Sequence, residues 1–206
     1  MKHTIPLTIY SICLLLSGCN EPVDSSSSSK VFEDGSVYVG DLVEGKRHGK
    51  GTYLPLEGDR YKGDWANDKE EGQGRRIYND GSIYEGAFKA GQPEGQGTRT
   101  FESSVFGYSY TGGFKAGKQS GRGDEQRKQG NFLEIYKGEF RDGKRNGKGT
   151  LTRKIPNLQD FKYVGDFMNG VPHGQGNQVD QERATYRGSF QKGLPHGIGQ
   201  KTLANG

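Results

Sequence analysis

The chain has 206 residues, 35 of them glycine and only 30% hydrophobic, so its aliphatic content is too small for a thick globular core. A formal net charge of +4 comes from basic residues scattered among acidic ones, with no basic cluster and no nucleic-acid motif, which argues against a nucleic-acid partner. The core must be thin and aromatic.

Residues 1–18 have the layout of a secretory leader. Met1-Lys2-His3 is a short basic start, and the mostly apolar run from Ile5 to Leu16 is too short to span a bilayer. Leu16-Ser17-Gly18-Cys19 ends it and resembles the bacterial lipobox. That resemblance implies cleavage before Cys19, acylation of its sulfur, and attachment to a membrane through the N-terminal acyl chains. If the envelope is Gram-negative, Asn20, rather than Asp, implies export away from the inner membrane and so favours the outer membrane. Cys13 falls inside the leader, so the mature chain keeps no thiol for a disulfide, a metal or nucleophilic catalysis. Residues 19–30, with serine at every position from Ser25 to Ser29, are too poor in apolar residues to fold and read as a flexible tether.

Residues 31–206 form an array. Val31-Phe32-Glu33-Asp34-Gly35-Ser36-Val37 matches Ile77-Tyr78-Asn79-Asp80-Gly81-Ser82-Ile83 position for position, so the array opens on the second half of a repeat. Seven copies follow, starting at Tyr38, Tyr61, Tyr84, Tyr110, Tyr136, Tyr163 and Tyr186. The clearest is YKGEFRDGKRNGKGT at residues 136–150. Counted from Tyr136, it places Gly138 at offset two, Phe140 at four, Gly143 at seven, Gly147 at eleven and Gly149 at thirteen. Tyrosine, glycine and aromatic at offsets zero, two and four share one face of a strand, and the glycine at seven sits where a hairpin reverses. Gly147 and Gly149 are expected to share one face, as bare backbone under rings of a neighbouring strand. Two slots deviate. Leu42 replaces the aromatic, and Asp68, preceded by Asn67, replaces the turn glycine; Asn and Asp tolerate the left-handed region best after glycine.

Spacing between successive tyrosines is 23 residues except after Tyr84, Tyr110 and Tyr136, where it is 26, 26 and 27. The additions fall between the last glycine of one copy and the next tyrosine, so they are expected at hairpin tips that bulge on one side of the stack. They carry Phe101, Phe106, Phe132 and Phe161 outside the template, which makes these four the candidate partner-binding residues. The alternative is that longer tips bury their own aromatics.

His48, His173 and His196 all occupy offset ten, a repeat position rather than a catalytic constellation. His173 and His196 belong to adjacent hairpins, ~10 Å apart by strand spacing, too far to share a zinc ion. No pair of carboxylates is singled out by spacing, and the Gly-x-Gly pairs lie in strands rather than before a helix. The sequence therefore predicts no catalytic residue, metal or cofactor.

These residues resemble the membrane occupation and recognition nexus (MORN) repeat, whose pattern is Tyr-x-Gly-x-aromatic followed by the same later glycines. The resemblance covers residues 31–206. It implies an all-β fold, an elongated, twisted antiparallel sheet of stacked hairpins with a groove along one side. Uncapped sheet edges make homo-oligomers a further expectation. The function expected is a non-catalytic, membrane-anchored scaffold for protein–protein interaction in the bacterial envelope. A glycan or lipid-headgroup binding module is the alternative, and an envelope hydrolase ranks last.

Overall fold

A computed structural model gives the fold of residues 28–204, which contain strands and turns and no helix. The strands are β1 (Ser28–Val31), β2 (Val37–Val43), β3 (Lys46–Leu54), β4 (Arg60–Ala66), β5 (Lys69–Ile77), β6 (Ile83–Lys89), β7 (Gln92–Glu102) and β8 (Phe106–Lys115). They continue with β9 (Lys118–Gln129), β10 (Phe132–Arg141), β11 (Lys144–Lys154), β12 (Phe161–Met168), β13 (Val171–Val179), β14 (Thr185–Gln191) and β15 (Leu194–Thr202). All 15 lie in one sheet in sequence order, each antiparallel to its neighbours. The first strand takes in Ser28 to Lys30, so pairing begins inside the serine-rich stretch. Cys19, the leader and the rest of the tether lie outside the described residues.

The register places one glycine from every strand of β2 to β15 in a single row across the sheet. Gly138 faces Gly123 on one side and Gly149 on the other, Gly149 faces Gly165, and the row runs out to Gly40 and Gly199. The tyrosine of each hairpin lies on this row. A Cβ added at Gly149 would sit 2.5 Å from the ring of Tyr136, and one at Gly138 2.6 Å from the Gly149 Cα, so neither position has room for a side chain. The Tyr136 hydroxyl donates to the Glu139 carbonyl at 3.0 Å, and every template tyrosine repeats that bond to the residue three further on. The six tyrosines from Tyr38 to Tyr163 are buried, which is worth roughly 1.5–3 kcal/mol for each large side chain.

The aromatic at offset four joins one hairpin to the last. Phe140 stands edge-on to Tyr136 of its own hairpin at 5.1 Å and to Tyr110 of the preceding one at 4.9 Å. Phe88, Phe114, Phe167 and Phe190 do the same, giving an unbroken ladder of T-shaped contacts, the geometry that the ring quadrupoles favour. Leu42, in the first hairpin, has no preceding template tyrosine to meet among the described residues, so an aromatic there would serve only half of this function. A single sheet thus makes its own second layer from rings.

Each of the seven template hairpins closes with positive φ at both central residues, as at Asp142 (51°) and Gly143 (78°), the backbone of a type I′ turn. Asn67 and Asp68 adopt the same geometry without glycine. Asp68 gains what glycine could not: its carboxylate accepts from the Arg47 backbone N–H at 3.0 Å and from Arg47 Nε at 3.2 Å. The turns also bind the repeats together. The Gly143 N–H donates to the Gln119 carbonyl of the preceding hairpin at 3.0 Å, and Asp68, Gly91, Gly117, Gly170 and Gly193 form the equivalent bond.

Two expectations are corrected. Gly147 does not lie under a ring: it has φ of +93° where the register shifts between Gly138 and Phe140, and its added Cβ would meet the Glu139 side chain. It is a bulge glycine, held in the left-handed region that costs other residues roughly 1–2 kcal/mol. The additions after Tyr84, Tyr110 and Tyr136 are also mostly strand rather than bulging tips, because their side chains keep the two-residue alternation. β7 to β11 run to 10–12 residues, against 7 and 9 in β4 and β5.

Gly149→Ala and Gly147→Ala are each expected to lower Tm by the equivalent of about 1–3 kcal/mol, one through overpacking and the other through backbone strain. Lys148→Ala, which removes only an exposed ion pair with Asp166, is expected to leave it nearly unchanged. Thermal melts of the three variants check the assignment, and equal shifts would overturn it.

Candidate functional site

The widened block β7 to β12 carries a second row of side chains on the tyrosine face, two residues further from the turns than the residues that face the tyrosines. Register aligns Phe101, Tyr108, Arg127, Glu134, Arg153 and Phe161, one from each strand. At ~4.8 Å per strand this row is ~24 Å long. Two of the candidate phenylalanines, Phe101 and Phe161, stand at its ends. Phe101 and Phe106 pack together, with centroids 6.1 Å apart, and Phe161 lies under the Arg153 guanidinium at 5.2 Å. Phe132 stands one position further out, opposite Gln129, which on its other side faces Phe106. The four therefore do not form one cluster.

Between the ends sits an ion network. Arg145 of β11 donates from Nε to Glu125 at 2.7 Å and from Nη2 to Glu134 at 2.7 Å, while its guanidinium covers the Tyr136 ring at 4.9 Å. Arg127 bonds Glu125 at 2.8 Å and Arg153 bonds Glu134 at 2.8 Å. Glu125, Glu134 and Arg145 are buried. In the following hairpin the position of Glu125, directly across from the tyrosine, is held by buried Leu151, so the network replaces an apolar contact with charge. Such a cluster fixes geometry more than it stabilises, since a buried ion pair roughly breaks even against a hydrophobic substitute.

Beside the row an open cavity of about 460 Å³ is lined by Arg99, Phe101, Phe106, Tyr108, Lys118 and Arg127, among others. Tyr108 accepts from Gln119 Nε2 there, and burial, reinforced by Glu125, pushes its phenol up to about 12. Burial likewise raises Tyr136 to about 12, and its neutral phenol donates to the Glu139 carbonyl.

The histidines do not converge on this site: His48 is on β3, His173 on β13 and His196 on β15. Offset ten is an inter-repeat position, where Glu71 and Glu94 accept the Ala90 and Ala116 N–H groups of the next turn at 2.9 and 2.8 Å. His48 Nδ1 is buried there without a hydrogen-bond partner. Among the described residues no three His, Cys, Asp or Glu side chains are grouped as a metal site. Sequence reasoning missed Arg99, Glu125, Arg127, Glu134, Arg145 and Arg153. The available signal was even spacing from a template residue of the same strand: Arg99, Glu125, Arg127 and Arg153 stand two or four residues beyond the last template glycine, and Glu134 stands two before Tyr136.

Burial raises the pKa of Glu134, but the hydrogen bonds from Arg153 and Arg145, with their charges, outweigh it and hold the carboxyl below the usual range. A depressed carboxylate adds stability above its unfolded pKa and loses it as the pH falls through the folded value. Tm should therefore fall as the pH drops below about 4.3, the ordinary glutamate pKa, and Glu134→Gln should flatten that fall. Parallel Tm–pH curves for the two proteins would remove Glu134 from the explanation.

Comparison with curated proteins returned no match. The family profile described as the MORN repeat matches residues 38–54, 61–83, 84–104, 110–132, 136–154, 163–179 and 186–206, the seven hairpins built on the tyrosine–glycine template. The chain belongs to the MORN repeat family.

Proposed function

We propose that this protein is a non-catalytic scaffold, anchored in a bacterial envelope through acylated Cys19, that binds a protein partner on the tyrosine face of the widened block. One observation carries the binding half of this reading. Template residues are occupied throughout in holding the sheet together, and the departures that add surface gather in β7 to β12 on one face. Aromatic and arginine side chains on a rigid platform supply contact area at low entropic cost, the usual make-up of interface hot spots. The anchoring half rests on Leu16-Ser17-Gly18-Cys19 and the serine-rich segment after it, which supplies reach from the membrane.

Mass spectrometry of the native protein is expected to find Cys19 as an acylated amino terminus, and Cys19→Ser is expected to release the chain from membranes. An uncleaved leader or a free thiol at Cys19 would defeat the anchor. For the partner, detergent-solubilised envelopes are captured on the intact chain and on a Phe106→Ser/Phe132→Ser variant. The variant should lose a stoichiometric protein that the parent retains, at nearly the same Tm. Unchanged capture would rule out this face, and a collapsed Tm would mean that both rings serve packing alone.

A further inference from the structure

The ion network is sorted by depth. Its carboxylates lie below the surface, with 2% of the Glu125 side chain and 12% of the Glu134 side chain exposed, whereas Arg127 and Arg153 remain 51% and 44% exposed. Each of those guanidinia spends donors on one carboxylate and keeps others free, out of five. Lys118, exposed at the cavity rim, forms no ion pair among the described residues. Asp80 is the one exposed acid lining the cavity, and it is engaged by Arg99. Apart from Asp80, a partner approaching this face therefore meets cations and rings, with the carboxylates of the ion network out of reach.

The spacing narrows the occupant further. Arg127 and Arg153 are two strands apart, ~10 Å, which is about three residues of extended chain at ~3.3 Å per residue. The cavity lies to the Phe101 side of Arg127, and its ring-lined wall suits a large apolar side chain. A sugar polymer offers carboxylates but no such projecting group.

Resting on the reading of a protein-binding scaffold, we propose that the widened face receives an acidic segment of the partner. One large apolar side chain of that segment enters the cavity beside Phe101 and Phe106, and carboxylates further along it bond Arg127 and Arg153. Cationic groups above a buried counter-charge give such an interface its on-rate and its choice of partner more than raw affinity.

The test uses the full chain and a fluorescently labelled peptide bearing one tryptophan followed by glutamates two and five residues later, read by anisotropy. The peptide is expected to bind, and its affinity to fall about ten-fold or more with Arg127→Glu/Arg153→Glu, with tryptophan replaced by serine, or with added salt. Lys118→Glu should weaken binding in the same direction at unchanged Tm, which covers the case in which the double variant misfolds. Equal binding of a peptide with lysines in place of the glutamates, or no binding of either, overturns the acidic-segment inference. Displacement of the peptide by polygalacturonate, with polygalacturonate binding insensitive to Phe106→Ser, overturns it in favour of an acidic glycan. Loss of native-partner capture by the Phe106→Ser/Phe132→Ser variant would still uphold the scaffold reading if the peptide fails. Unchanged capture would instead rule out this face as the scaffold's binding surface, and the acidic-segment inference with it.

Discussion

A tyrosine ring resting on two facing glycines is the contact on which this sheet depends. The ring needs the strands bare beneath it, so both partners at the Gly138–Gly149 pairing lack side chains. Its hydroxyl must find an acceptor once buried, and the Glu139 carbonyl supplies one. Those two requirements repeat from hairpin to hairpin and force one glycine per strand into line. They also leave each ring with an exposed edge, which the offset-four aromatic of the next hairpin covers. Ladder, glycine row and hairpin order therefore follow from one local arrangement, and stability is assembled from neighbouring copies as in other repeat proteins.

Much of this was legible because the pattern is local. Tyrosine, glycine and aromatic at even offsets fix the strand face, and the turn glycines fix where the chain reverses, including at Asn67-Asp68. Gly147 was misread because its role comes from a register shift, and alternation alone assigns it to the face of Gly149. The same limitation concealed the ion network. Glu125, Glu134, Arg145 and Arg153 come from three strands and meet only once the long strands are paired. Phe101 and Phe106 could be flagged as off-template, but their contact depends on the pairing of β7 with β8.

Lengthening the central strands extends into a network a chemistry that the short repeats hold as single pairs, such as Glu70 with Arg76. In a seven- or nine-residue strand most inward positions are taken by ring, glycine or turn, the Glu70–Arg76 pair of β5 being an exception. Three or four more residues per hairpin add inward positions with no part in the ladder, and these hold Tyr108, Arg127, Glu134 and Arg153. Buried charge there costs desolvation and must be fully bonded, which ties side chains of three strands to one arrangement. The template supplies rigidity, and the additions supply identity.

The strands run across the long direction of the array, so a pull along that direction loads the hydrogen bonds between strands in series rather than in parallel. Under such tension the array yields at its weakest seam, and adding repeats lengthens it without strengthening it. β1, joined to β2 by only the Ser28 to Val31 pairing, is the thinnest seam among the described strands, while the seams from β7 to β11 carry the most pairings. A load between Ser28 and the widened face would thus be relieved by peeling β1, which leaves the face intact.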